Sequence, residues 1–297
     1  MTPWYYLYSG LSVFSEIELP EWEQFLSPTS IKDCDVQIIT KISTDSFVDA
    51  PRQSVSQDEY FLQLPHIGLF QVTKGKQIVV THPLEVEQQK LRLFLLGSVW
   101  SALCYQRGLL AVHAGAVVIG NEAILLCAAP GKGKSTLTAF LAKKGHPLVS
   151  DDLCCLDITK HIPVVHPAAQ RLRLWSDALE TLGWEYQNFE RDFYRHDKFL
   201  VPWSRNVLLQ PVTIRAIYLL EWGSLNLARL TGLNALKKFI AAGTYRGDIL
   251  QQMEGTGAYW QRCLKLIESV PVWELTRPKN LAELEKVSNL LEQQSTP

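Results

Sequence analysis

The sequence predicts an α/β protein, with a phosphate-loop domain behind a small antiparallel β domain. Three observations lead there. An apolar strand at 122–127 runs straight into AAPGKGKST, a glycine- and lysine-rich segment that opens a helix. A further apolar stretch at 146–156 follows that helix and carries two consecutive aspartates, Asp151 and Asp152. The first 85 or so residues instead alternate short β-branched and aromatic runs with turns. Strand, loop, helix, strand is the architecture of an α/β phosphate site.

Bulk properties narrow the classes. The chain has 297 residues, 47% hydrophobic and 20% charged, as an ordinary folded protein does. Its 29 basic and 30 acidic side chains give a formal net charge of -1. No positive field points to a nucleic-acid partner. The opening MTPWYYLYSG has no basic segment ahead of an apolar run, so a cytoplasmic protein without a signal peptide is expected. The apolar segment 91–110 carries Arg92 and Arg107, which predicts a buried helix and no membrane partner. Six cysteines include no C-x-x-C pair and no zinc spacing, and are expected to be buried thiols in a reducing compartment.

The β domain, residues 1–85, is expected to hold strands at 5–18 (interrupted by Gly10), 35–41, 60–64, 68–72 and 77–81. The polar segment 43–56, with Pro51, is expected to be a mobile loop. The second domain, residues 86–297, begins with a helix that Pro83 starts and Gly108 stops, with Leu91, Leu95, Val99 and Leu103 on one face. Strands at 114–119 and 122–127 form a hairpin around Gly120-Asn121. The helix after the glycine-rich loop ends at Lys143, Lys144 and Gly145, which suit its negative end. Beyond the aspartates, strands are expected at 171–175, 212–220, 224–230 and 272–275, with helices at 177–182, 233–242, 247–270 and 281–294.

The motif Pro130, Gly131, Lys132, Gly133, Lys134, Ser135, Thr136 ends as a Walker-A loop does, in Gly-Lys-Ser. Gly131 and Gly133 let backbone amides converge on phosphate oxygens. Lys134 can reach the β and γ phosphates, and Ser135 can hold Mg²⁺ through its hydroxyl. Ala128 stands where the motif has its first glycine, which is harmless unless that backbone must be left-handed. Phosphoryl transfer to a hydroxyl also needs a proton acceptor and a carboxylate for the metal, and Asp151 and Asp152 supply the groups. Successive residues of a regular strand face opposite ways, so the two are expected to do different jobs. His113, just ahead of the hairpin, either orients an acidic residue, meets a phosphate, or is structural.

The stretch VHAGAVVIGNEAILLCAAPGKGKSTLTAFLAKKGHPLVSDD resembles the catalytic core of the HPr serine kinase/phosphorylase family, whose phosphate loop follows a β-hairpin, as in phosphoenolpyruvate carboxykinase. The resemblance covers 108–156 and extends loosely, through YLYSGLSVFSEIELPE and HPAAQRLRLW, to shortened relatives with a small N-terminal β domain. It implies an HPr-kinase C-terminal-like fold using ATP and Mg²⁺. Asp151 would be the general base, His113 its neighbour, and Asp152 with Ser135 the metal side. Two departures stand out. The genuine kinases have glycine at the position of Ala128, and carry a glutamate-isoleucine-arginine-glycine segment that is missing here. HPr itself is therefore not implied as the acceptor. Some shortened relatives phosphorylate lasso-peptide precursors on a serine, and the parent kinases form rings, which leaves a homo-oligomer open.

The expected activity is an ATP-dependent serine kinase acting on a peptide or small protein. The alternatives are a kinase of a small hydroxylated metabolite and a nucleotide-binding regulator without transfer activity. Several further residues are candidates. Arg171 and Arg173 either meet phosphates or line a half-exposed strand. Lys198, in Arg195-His196-Asp197-Lys198, is a candidate to stabilise the transferring phosphoryl group from a mobile loop. Tyr245 and Arg246 form a pair between helices. Trp175, Trp203 and Trp260 are expected to pack in the core.

Overall fold

The computed structural model describes residues 3–44, 50–159, 161–168, 171–192, 197–206, 208–254 and 256–294. The chain divides into two units. One comprises residues 1–111 and 245–261, the other 112–244 and 262–297.

The first unit is built on one sheet. Its strands are β1 (Trp4–Tyr8), β2 (Leu11–Ser15), β3 (Val36–Ile42), β4 (Arg52–Val55), β5 (Glu59–Leu64), β6 (Gly68–Thr73) and β7 (Gln77–His82), in the order β1-β2-β3-β7-β6-β5-β4. The expected antiparallel meander is correct for the β1–β2 pair and for β5 to β7, and wrong at β3, which pairs in parallel with both β2 and β7. A parallel pair needs a crossover. The stretch between β2 and β3, with a 3₁₀ turn at Pro20–Phe25, supplies it. The segment 43–56, expected to be a loop, contains β4; residues 45–49 lie outside the described residues.

The next helix starts at Gln88, five positions beyond Pro83. It runs as α1 (Gln88–Phe94), a π-type turn (Leu95–Val99) and α2 (Trp100–Gln106), and Gly108 ends it in a left-handed conformation. Leu91, Leu95, Val99 and Leu103 are all buried. This helix was expected in the second domain but belongs to the first unit. The reason is Trp100, which packs edge-on against Trp22 and Tyr8. Tyr245 and Arg246 also fall in the first unit, with α6 (Gly247–Glu254).

The chain passes to the second unit along β8 (Leu110–Val112). There β9 (Ala114–Ile119) and β10 (Glu122–Cys127) form the expected hairpin, with Cys127 opposite Ala114. After the loop come α3 (Lys134–Lys143), β11 (Leu148–Ser150), β12 (Cys154–Asp157), β13 (Val164–His166), β14 (Arg171–Trp175) and α4 (Ser176–Thr181). Then follow β15 (Glu190–Arg191), β16 (Lys198–Pro202), β17 (Val212–Trp222), β18 (Asn226–Leu230) and α5 (Gly232–Gly243). Helix α7 (Thr256–Ser269) leads back from the first unit to β19 (Val272–Arg277) and α8 (Leu284–Gln293).

The main sheet is mixed. β10 lies parallel to β17, and β17 parallel to β19, while β9, β11, β13 and β18 pair antiparallel. β17 is long enough to pair with β13 at its start and β19 at its end. A smaller sheet runs β14-β16-β15. The core between sheet and helices gathers Ile124, Leu126, Leu137, Leu141, Leu174 and Leu291. The unit is therefore α/β with mixed sheets. Of the cysteines, all six are free, Cys34 half-buried and the others buried. Among the described residues no helix is long and apolar enough to cross a membrane.

Candidate functional site

The hairpin fixes where the glycine-rich loop begins. β9 and residues 123–127 of β10 are buried, so the chain leaves the sheet at Ala128 with little freedom. Ala128 itself is buried in the core and is not among the residues with positive φ. Its methyl group meets no backbone conflict, so the loop tolerates alanine where the motif has its first glycine. Gly131 and Gly133 do take left-handed conformations, at φ 82 and 74. Helix α3 then starts at Lys134 with no side chain capping it. Its first N–H groups are thereby left for an anion, and the helix dipole favours one. Gly115 lets α3 approach the sheet, because a β-carbon there would lie 3.1 Å from that of Thr138.

The second apolar stretch is not one continuous strand. β11 ends at Ser150 and β12 begins at Cys154, with Asp152 between them at φ 84. Ser150 Oγ donates to the Leu153 carbonyl at 2.8 Å and braces the bend. The left-handed residue, and not strand alternation, separates the two carboxylates.

Asp151 turns inward. Its side chain is 0% exposed, with Lys134 Nζ 3.3 Å from Oδ1. Ser135 Oγ donates to the same oxygen at 3.2 Å, and the Arg173 backbone N–H to Oδ2 at 3.3 Å. Burial alone would lower the Lys134 pKa, but the Asp151 and Asp152 carboxylates outweigh it and raise it. Lys134 is therefore a cation at any ordinary pH.

Asp152 turns towards the accessible side, with 29% of its side chain exposed. Arg173 Nη1 lies 3.6 Å from one carboxylate oxygen and His113 Nδ1 3.3 Å from the other. Burial pushes its pKa up, but Arg173, Lys134, His113 and Lys198 together hold it down at about 2. His113 Nδ1 also lies 3.0 Å from the Asp152 carbonyl, which can only accept, so Nδ1 carries the proton. Burial, and then Lys134, lower the His113 pKa against the opposing pull of the Asp152 and Asp151 carboxylates.

Thus Lys134, Ser135, Asp151, Asp152, His113 and Arg173 come together, and Lys198 acts on Asp152 electrostatically. Lys198 is not on a loop but opens β16, opposite Trp175, and its Nζ lies 5.8 Å from that ring. Arg195 and His196 lie outside the described residues. Pro130 and Gly131 are exposed, Thr136 is half-buried, and Lys132 pairs with Glu221 at 2.8 Å on the rim. Trp203 packs in the core as expected, whereas Trp175 and Trp260 are exposed.

Two residues that the motif reading missed complete the loop's surroundings. Arg277, at the end of β19, is buried with its guanidinium 4.3 Å from the centre of the Trp222 ring. Its Nη2 donates to the carbonyls of Gly133 at 3.0 Å and Lys132 at 3.2 Å. The one available signal was parity, since Arg277 follows Leu275 by two positions on the face that β19 buries.

Among the described residues no cluster of three or more His, Cys, Asp or Glu side chains could hold a metal alone. Ser135, Asp151 and Asp152 bring one hydroxyl and two carboxylates to the start of α3, oxygen donors of the type that hard cations take.

No protein-family model matches this chain, and no curated protein matches it. Among solved structures, the Hpr(Ser) kinase/phosphatase from Coxiella burnetii aligns over 63% of this chain and 90% of its own, at 15% identity and a TM-score of 0.35. That likeness is distant.

Proposed function

We propose that the protein is an ATP-dependent kinase that transfers the γ-phosphoryl group to a seryl hydroxyl of a peptide or small protein. The observation that carries this reading is the convergence of Lys134 and Ser135, at an uncapped helix N-terminus, on Asp151, with Asp152 and His113 alongside. Phosphoryl transfer asks little covalent chemistry of a protein. It needs positioning and positive charge around the γ-phosphate, and an acceptor oxygen held in line.

On this reading the amides of Gly131, Gly133 and Lys134 cradle the phosphates together with the Lys134 ammonium, while the Lys132 N–H closes the loop on the Ala129 carbonyl at 3.2 Å. Lys134 exchanges Asp151 for the β/γ oxygens, which releases a carboxylate oxygen beside the Ser135 hydroxyl. Ser135 and Asp151 would hold Mg²⁺, which supplies charge neutralisation on the β and γ oxygens when bound. Asp152, the accessible carboxylate, would accept the hydroxyl proton, its geometry fixed by Arg173 and His113. This division reverses the one that the family resemblance implies. It rests on Asp151 sharing one oxygen with Ser135 and Lys134. Arg173 and Lys198 add positive charge on the acceptor side. Trp175, exposed and on the same face of β14 as Arg173, extends a surface away from Asp152 that suits a peptide.

The test is intact-mass analysis of serine-containing peptides, HPr and hydroxylated metabolites after incubation with ATP and Mg²⁺. The expected result is one added phosphate on a peptide serine, abolished in Asp152→Asn, with nucleotide affinity kept. Asp151→Asn is expected to lose Mg²⁺ dependence together with turnover. Phosphorylation of metabolites alone moves the acceptor to a small molecule. Nucleotide binding with no transfer to any acceptor makes the protein a regulator.

A further inference from the structure

Arg277 is 1% exposed, yet among the described residues it makes no ion pair. Its Nε is buried without a hydrogen-bond partner. Burial lowers its pKa to about 10, so the guanidinium remains a cation at neutral pH. A buried, unneutralised charge is costly and calls for a reason. What it touches supplies one: the Trp222 ring on one side, and the Lys132 and Gly133 carbonyls of the glycine-rich loop on the other.

The consequence follows from peptide geometry. In a planar trans peptide the C=O and the following N–H point in opposite directions. The carbonyl of Lys132 is held towards Arg277, so the N–H of Gly133 is turned away from it. The carbonyl of Gly133 is held the same way, so the N–H of Lys134 is turned away too. Those two amides, with the Lys134 ammonium, are what a phosphate would meet at the start of α3. The Gly133 carbonyl also accepts from Leu137 N–H at 3.1 Å, the first hydrogen bond of the helix. A single guanidinium thus ties the loop to the helix start. The fit leaves no slack, since a β-carbon at Gly133 would approach Arg277 and lie 2.9 Å from the Trp222 ring.

We infer that Arg277, stacked on Trp222, is a positioning residue for the phosphate loop: it holds two loop carbonyls back so that the Gly133 and Lys134 amides face the polyphosphate of a nucleotide, and adds a positive charge behind them. The inference rests on the proposed phosphate-site reading for its ligand, but not for its effect on the loop. A guanidinium suits this place, because one nitrogen serves two carbonyls while the central carbon of the group lies 4.3 Å from the centre of the Trp222 ring. Lysine in its place keeps the charge and loses the stacking.

The experiment compares wild type with Arg277→Met and Arg277→Lys in the full chain. Methionine keeps apolar contact with Trp222, and lysine serves if the methionine variant does not fold. The first readout is amide hydrogen exchange without nucleotide. The expected result is exchange in 131–135 faster by about 10-fold or more in Arg277→Met, with the rest of α3 and the sheet unchanged. The second readout is affinity for Mg·ADP and for adenosine. Mg·ADP affinity should fall by about 10- to 30-fold, the scale of one or two charge-assisted hydrogen bonds, while adenosine affinity stays put. Arg277→Lys should recover part of both effects. Unchanged loop exchange in both variants overturns the inference, and so does an equal rise over the whole unit, which would mark Arg277 as structural. If wild type binds no ADP, the phosphate-site reading is what fails. Loop exchange then still decides Arg277: local acceleration upholds its hold on the loop, and none refutes it.

Discussion

Replacing Lys134 by methionine leaves the Asp151 carboxylate buried without its cation. Across 3.3 Å, two unit charges attract by about 5 kcal/mol at an effective dielectric constant of about 20. Desolvation of both groups takes back a large part, which leaves a coupling of about 2 kcal/mol. Losing one partner costs more than the pair is worth. Among the described residues Asp151 then keeps the Ser135 hydroxyl and the Arg173 amide as donors. Lys134→Met is therefore expected to destabilise the nucleotide-free protein by about 3 kcal/mol, and Asp151→Asn by a similar amount. The double variant should recover about 2 kcal/mol of the summed loss. Urea unfolding of the four proteins at pH 7, followed by tryptophan fluorescence, measures the coupling from midpoints at constant slope. Simple additivity, with each single change costing less than about 0.5 kcal/mol, would refute a direct Lys134–Asp151 pair.

Other expectations come from single residues. Gly133→Ala places a side chain at φ 74 against Arg277 and Trp222. It should lower stability by about 3 kcal/mol and Mg·ADP affinity by about 100-fold, read by thermal melting and calorimetry. Ala128→Gly, which restores the motif's first glycine, should leave Mg·ADP affinity within about twofold and cost about 1 kcal/mol of stability. A marked gain in affinity would show that the methyl group hinders the loop. Lys144, then His146 and Ser288, hold the Glu292 carboxyl down at about 2. Its folded pKa lies below its unfolded one, so its stabilisation is present above pH 4.5 and is lost between about 4.5 and about 2. Glu292→Gln should cost about 1 kcal/mol at pH 7 after solvent screening, and the difference from wild type should vanish near pH 2 in an acid-unfolding series.

What the sequence made legible was local. The hairpin at 114–127, the loop and α3 announce themselves through continuous apolar runs, two glycines and a basic helix end, and they stand where they were expected. The non-local features were harder. β3 slots between β2 and β7 in parallel, a pairing set by a crossover and not by anything in residues 36–42. Trp100 takes its helix into the first unit because its partners, Tyr8 and Trp22, are far away in sequence. At the site, the aspartates were visible but their geometry was not. Alternation along a strand was the natural expectation, and a left-handed Asp152 replaces it. Arg277 lies more than a hundred residues from the loop that it holds, and only its place on the buried face of β19 hinted at a role.

The measurement that bears most directly on the whole account is a calorimetric titration of the protein with ADP, with and without Mg²⁺, repeated on Ser135→Ala. Ser135 is half-buried, and its loss removes one hydrogen bond to Asp151, so the variant should fold. The account predicts saturable binding that Mg²⁺ strengthens by about 10-fold or more, and the loss of that Mg²⁺ effect in Ser135→Ala. No binding at millimolar nucleotide, or binding indifferent to both Mg²⁺ and Ser135, would contradict it.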